Sequence, residues 1–263
     1  MKEKRRHLYK QYLSMILKSK MEYKVSFYMY SFGIFLSSFS VFAGIFFMFQ
    51  RFTNVKGFVY SEVLLCYGIF LMGYTLSEMF ARGFDVFPYL IRRGEFDRIL
   101  LRPRNVVFQV LVSRFEYSRF GRLLQAVVML VYGIYKSDIR WTGMKVLTVF
   151  LMIFGGACLF SAIFMLCASF SFFTLEGLEF INVFTNGAVE YGKYPFGVYG
   201  KRMLRIITFV IPYALVQYYP LLYLLDRSTN AGYTFLPLLA LWFMLPAYGM
   251  WRFGVRHYQS SGS

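Results

Sequence analysis

Val25-Ser-Phe-Tyr-Met-Tyr-Ser-Phe-Gly-Ile-Phe-Leu-Ser-Ser-Phe-Ser-Val-Phe-Ala-Gly-Ile-Phe-Phe-Met-Phe49 runs without a charged side chain. A bilayer core is crossed by about 20 predominantly apolar residues of helix. Inside lipid every backbone N–H and C=O must be paired within its own segment, so a run of this kind becomes a helix. Val146–Leu175 and Ser228–Trp251 are equally free of charge. These runs are apolar all round, whereas a helix of a soluble protein buries a single stripe. The expected fold class is therefore an all-α polytopic membrane protein. Composition agrees: the 263 residues are 58% hydrophobic and 22% aromatic, with mean hydropathy +0.49, more apolar than a soluble chain. The length suits one compact helical domain with little left for a soluble module.

The net charge of +16 raises the question of nucleic acid, and its placement answers it. Eight of the 29 Lys and Arg lie in the first 24 residues, nine more lie between Arg82 and Arg122, and Arg252 and Arg256 close the chain. The short loops between apolar runs carry fewer: Arg51 and Lys56, then Lys136, Arg140 and Lys145, then Arg227. This is the distribution that sets orientation, with the basic side cytoplasmic, and that attracts anionic headgroups. Nucleic-acid binding would need a solvated basic surface interleaved with base-stacking aromatics, so membrane lipid is the expected partner of these charges.

Cys66, Cys158 and Cys167 are scattered in apolar runs, which makes neither a disulfide framework nor a zinc or redox motif. His7 and His257 lie at opposite ends, leaving no metal cluster and no nucleophile-with-base constellation for an enzyme. The basic N-terminus precedes an apolar stretch too long for a signal-peptide core, and no small-x-small cleavage site follows, so the segment is expected to stay. Within residues 1–24, Leu8, Tyr12, Met15, Ile16 and Tyr23 recur at helical spacing among Lys4, Arg5, Lys18 and Lys20. That pattern predicts an interfacial amphipathic helix.

Residues 25–263 then read as six spans. The first is Val25–Phe49 and the second Phe58–Phe80, carrying Glu62 and Glu78 near its two ends, where a carboxylate is hydrated. An intramembrane carboxylate is a candidate pathway residue. Residues 81–119 form the longest polar stretch, with Leu90, Ile91, Phe96, Ile99, Leu100 and Leu101 alternating with charges, so one or two interfacial helices are expected, stopped near Pro103. Phe120–Tyr135 is the third span, and Trp141 beyond it occupies an aromatic-belt position. Val146–Leu175 is too long for one span: its 30 residues cover about 45 Å against a core of about 30 Å. Either it is a tilted helix followed by a loop at 176–204 and a fifth span at Ile206–Leu225, or the fourth span ends near Cys167. In the second case Phe172–Val189 crosses despite Glu179, and 195–227 becomes an outer re-entrant hairpin broken by Pro195, Pro212 and Pro220. Proline at membrane depth is tolerated where the freed backbone is buried in protein or lines a cavity. Both versions end with Thr234–Arg252 and leave both termini inside.

Gly187-Ala-Val-Glu-Tyr-Gly192-Lys193-Tyr194 matches a phosphate-binding loop until its last position, where Ser or Thr is required for magnesium and Tyr194 stands instead, followed by Pro195. The chain is not expected to bind ATP itself.

Further residues carry a family resemblance over nearly the whole chain. They are Arg92-Arg93-Gly94-Glu95-Phe96-Asp97 with Leu101-Arg102-Pro103; Tyr194-Pro195 through Lys201-Arg202-Met203-Leu204-Arg205; Phe209-Val210-Ile211-Pro212-Tyr213-Ala214 with Tyr219-Pro220; and Tyr258-Gln-Ser-Ser-Gly262. With six spans and a charged segment between the second and third, the chain resembles a type-2 ABC export permease. The likeness is greatest to the subgroup paired with daunorubicin-resistance-type ATPases. The resemblance implies a permease subunit in a cytoplasmic-type cell membrane, itself without cofactor, driven by two copies of a separate ATPase that holds ATP and magnesium. A second permease, identical or a sister chain, would complete the pathway. It implies a coupling helix around Arg92–Arg104, with Arg92, Arg93, Glu95, Phe96, Asp97, Arg98, Arg102 and Arg104 at the docking surface. It also implies an outer gate hairpin within 190–227. Glu62, Glu78, Glu176 and Glu179 are the ionisable candidates for the pathway. The rival reading, a gradient-driven secondary transporter or channel, would need acids mid-span, where this chain is nearly all apolar. A non-transporting anchor or immunity protein has no soluble domain to anchor.

Overall fold

The computed structural model describes residues 21–174 and 182–259, together with Ser14, Met15 and Lys18. Most of the expected N-terminal interfacial helix, together with Glu176, Glu179 and residues 260–262, lies outside the described residues. Among these, the chain is helix and turn apart from one isolated β-bridge, Val55 to Phe58.

Helix α1, Lys24–Arg51, is followed by α2, Tyr60–Phe80. The expected first two spans were displaced from these by two residues or fewer at each end. A tight turn at Lys56 and Gly57, both with positive φ, joins them. The charged stretch that follows is four short helices: α3, Arg82–Asp85; α4, Phe87–Arg92; α5, Glu95–Leu100; and α6, Val106–Ser113. Helix α7, Phe120–Lys136, spans 17 residues, about 26 Å at 1.5 Å each, and carries Arg122 in its first turn. Helix α8, Gly143–Phe170, begins at an N-cap where the Thr142 hydroxyl accepts from the Lys145 N–H at 3.4 Å. It is one helix of 28 residues, about 42 Å long, and the chain turns at Ser171.

Beyond the undescribed residues come α9, Asn186–Tyr191; α10, Lys201–Phe209; α11, Tyr213–Val216; and α12, Tyr218–Leu224. The last helix, α13, Ala231–His257, mixes 3-10 and α turns around Pro237 and Pro246. Among the described residues four helices, α1, α2, α8 and α13, are long and apolar enough to cross a membrane. The bent pair α10 with α11–α12 would add a fifth if it were one span, but it turns through 89° at Val210–Pro212. The apolar run Ile206–Leu225 is therefore not one continuous helix.

Helix α2 is the axis of the molecule: 83% of its apolar window is buried, against 12% for α1. Lipid gives no hydrophobic drive to helix association, so the spans meet where small residues let backbones approach. A Cβ on Gly68 of α2 would lie 2.9 Å from the Leu130 nitrogen of α7, and one on Gly133 of α7 2.8 Å from the Leu65 nitrogen of α2. The α2–α7 contact thus depends on reciprocal glycines and runs antiparallel. On the other side Tyr74 stacks edge-on to Phe160 of α8 at 4.9 Å, and Ser77 bonds Ser161 at 3.0 Å.

Helices α8 and α13 run in the same direction. The hydroxyls of Thr148 and Thr234 meet at 2.9 Å near one end, and the Phe172 ring abuts Gly254 at the other. The connection from 171 to 230 must therefore return the full length of α8. Its contacts climb along α2: the Tyr74 hydroxyl donates to Asn186, the Tyr194 hydroxyl reaches Met48, and Lys56 Nζ donates to the Val198 carbonyl at 2.6 Å. The chain then doubles back. Tyr213 packs on Phe70 and Phe160, deep between α2 and α8. Asp226 returns to Lys145 at 2.7 Å and Arg227 to Glu62 at 2.6 Å, at the end where Lys56 holds Val198. Both ends of 198–227 thus sit at the Tyr60 end of α2, opposite the charged segment at its Phe80 end.

Candidate functional site

The charged segment is rooted in a buried ion cluster. Glu78, in the last turn of α2, is 1% exposed. Arg122 of α7 donates to its Oε2 at 2.6 Å, Arg119 lies 3.1 Å from Oε1, and Arg82 3.7 Å from Oε1. Arg82 also pairs with Asp85. Burial depresses the Arg82 guanidinium, but Asp85 and Glu78 beside it more than compensate, so its pKa lies above the usual arginine value. Terminal placement of Glu78 agrees with the sequence reading. Hydration does not: guanidiniums, not water, neutralise this carboxylate.

From that root, α3 packs so closely on α6 that a Cβ on Gly83 would fall 1.8 Å from the Val110 carbonyl oxygen. Gly94, at φ 64°, lets the chain reverse between α4 and α5. The buried Gln109 side chain of α6 donates to the carbonyls of Ile99 and Arg104, both at 3.1 Å, and so fixes the end of α5 and the loop beyond it. Asn105 caps α6 by accepting from the Phe108 N–H at 3.2 Å.

Phe96 is fully buried. Its ring lies 4.9 Å from Phe87, 5.0 Å from Tyr258, 5.4 Å from Phe172 and 6.4 Å from Trp251, all but Phe172 edge-on. Sequence reasoning put Phe96 on the docking surface. It faces inward instead and anchors α5 to the end of α13, because it falls on the same helical face as Ile99. What α5 and its flanks present outward is cationic: Arg92, Arg93, Arg98, Arg102 and Arg104 are exposed, with Leu101 among them. Glu95 lies 3.9 Å from Arg93, and both it and Asp97 are half-buried.

The other candidates lie elsewhere. Glu62 is at the far end of α2, 16 residues from Glu78, or about 24 Å. It accepts from the Val59 N–H at 3.0 Å and from Arg227, whose guanidinium also covers the Phe58 ring at 4.1 Å. Pro195 starts a turn beside Phe196; Pro212 sits at the 89° bend; Pro220 is buried in α12. The backbone freed around Pro195 is satisfied by Gln217, 1% exposed, which accepts from the Phe196 N–H at 3.2 Å and donates to the Gly192 carbonyl at 2.8 Å.

Sequence reasoning missed Arg119, Arg122, Lys145, Asp226 and Gln217. Their partners are 21 to 81 residues away, and only the i,i+4 spacing of Glu78 and Arg82 was visible locally. Among the described residues no group of acids, cysteines or histidines is arranged to hold a metal ion.

Apolar helices around a buried axis, ion pairs at both ends of that axis and a basic segment beyond one of them define an integral membrane protein. The family model for ABC-2 family transporter proteins matches residues 35–262. The chain belongs to that family and is a membrane permease of an ABC transporter, a transport subunit and not an enzyme. No curated protein and no solved structure matches it.

Proposed function

We propose that the chain is half of an ABC exporter, crossing the membrane six times and driven by a separate ATPase that docks on Arg92–Arg104. The spans are α1, α2, α7, α8, a fifth span as the Phe172–Val189 alternative has it, and α13, with both termini cytoplasmic. Residues 195–227 form a re-entrant hairpin from the outer side, the second topology's arrangement, and act as the gate. Two such subunits, identical or with a sister permease, enclose the pathway, and two ATPase copies bind below with ATP and magnesium.

The observation that carries this reading is the mounting of α5. Its outer side is a row of guanidiniums, suited to carboxylates on a partner. Its inner side is pinned by Phe96 to the end of α13, and its root is tied through Arg82 and Glu78 to α2 and α7. A force on the arginines reaches three spans through packed and ion-paired contacts, as a lever requires. The pairing with a daunorubicin-type ATPase rests on the sequence resemblance.

Tagged purification in mild detergent tests the proposal. The expected result is a co-purifying ATPase whose recovery and permease-stimulated hydrolysis fall at least tenfold with Arg92→Glu/Arg93→Glu, while the thermal midpoint is unchanged because both side chains are exposed. An intact chain that carries no ATPase sinks the proposal and favours a gradient-driven transporter.

A further inference from the structure

We propose that the groove between α10 and residues 183–199 holds an acyl chain of an anionic bilayer lipid, with its phosphate on Lys201, Arg202 and Arg205. The groove is open to the surface, with a cavity volume of about 110 Å³, and lined by Phe184, Ala188, Phe196, Met203, Ile207 and Val210 among others. Two tyrosine hydroxyls at its wall are already committed: Tyr199 donates to the Tyr191 carbonyl at 2.8 Å and Tyr213 to that of Phe184. The lining therefore offers a tail nothing polar to desolvate.

Helix α10 divides along its length. Its N-terminal half carries Lys201, Arg202 and Arg205, all exposed and, among the described residues, without an acidic partner. Its later turns expose Ile206 at 54%, Phe209 at 81% and Val210 at 63%. Ile206 lies one turn beyond Arg202 on the same stripe. Charge at one end and grease at the other is the outline of a single amphiphile lying along the helix. Guanidinium and ammonium groups favour a net-anionic headgroup over a zwitterionic one, whose own ammonium offsets its phosphate, and the groove beside them takes the tail. The site stands on this geometry whether or not the chain exports.

Native mass spectrometry of the full chain from detergent micelles containing equal phosphatidylglycerol and phosphatidylethanolamine, with the same acyl chains, tests it. The wild type is expected to retain one phosphatidylglycerol in preference. Lys201→Gln/Arg202→Gln/Arg205→Gln should lower that preference about tenfold. Ile206→Trp, a substitution at an exposed position that fills the groove, should cut retention of both lipids with no change in thermal midpoint. Equal retention of the two lipids by the wild type, or undiminished binding by Ile206→Trp, overturns the proposal. So does binding of dihexanoyl phosphatidylglycerol as tight as that of the long-chain lipid, which would mean a headgroup site without a tail groove.

Discussion

Replacing Glu78 by alanine removes the one carboxylate shared by Arg119, Arg122 and Arg82 and leaves the first two without it at the junction of α2 and α7. Arg82 keeps Asp85. Breaking a buried ion pair by deleting one partner costs about 3–5 kcal/mol. The side chains of Arg119 and Arg122 retain 10% and 20% exposure, so partial rehydration places the loss at about 3 kcal/mol, the lower end of that range. For a chain of this size a kilocalorie shifts the midpoint by about 2–4 °C, so a fall of about 6 °C or more is expected. Glu78→Gln, which keeps the volume and one acceptor, should lose about half as much. Arg82→Ala removes the longest and most exposed of the contacts and should cost about 1 kcal/mol or less. Thermal unfolding in detergent, followed by tryptophan fluorescence, gives the ranking. Glu78→Ala with Arg122→Ala should cost less than the two singles summed, since each removes the same interaction. A midpoint for Glu78→Ala within about 1 °C of the parent, or equal to that of Arg82→Ala, would refute the claim that this carboxylate holds the junction.

Two other substitutions probe the remaining attachments. Phe96→Ala should destabilise by about 3–5 kcal/mol through the cavity left among Phe87, Phe172, Trp251 and Tyr258, read as a fall in the unfolding midpoint with a change in Trp251 emission. Asp226→Asn keeps a residue tolerant of φ 56° while stripping the charge from Lys145, whose side chain is 5% exposed. Because Asp226 itself is largely solvated, about 1–2 kcal/mol is expected, measured as faster tryptic cleavage after Arg227 than in the parent.

The long apolar helices were legible because absence of charge is a local property. Val25–Phe49 and Phe120–Tyr135 lie within one or two residues of α1 and α7, and Thr142 capped α8 where hydropathy began to rise. Residues 198–227 were not settled by hydropathy, since Ile206–Leu225 is apolar enough to span. What separates a span from a doubled-back hairpin is the turn at Pro212 and the partners of its ends, Lys56, Glu62 and Lys145. All three partners are distant in sequence. The inward face of Phe96 was obscured for a related reason: charges on both sides of it marked an interfacial helix, but not which of its faces met protein.

Ion pairs close both ends of α2, and that placement bears on mechanism. Glu78 with its arginines closes the Phe80 end of α2; Glu62 with Arg227, and Lys145 with Asp226, close the Tyr60 end. Between them α2 meets its neighbours mainly through glycines and aromatic edges, with the Ser77–Ser161 and Tyr74–Asn186 hydrogen bonds joining it laterally. A helix fastened by charge at both ends and packed by shape between them transmits displacement along its axis. Under the proposed reading, motion of α5 pulls on Glu78 through Arg82, and the far response falls on Glu62 and Arg227, the residues that close the hairpin. Weakening the near cluster and weakening the far pair should therefore impair transport by the same step. Glu78→Gln and Glu62→Gln in one permease should then reduce transport less than the product of their separate effects. Fully multiplicative losses would mean that the two ends act independently and that α2 is a scaffold, not the connecting rod.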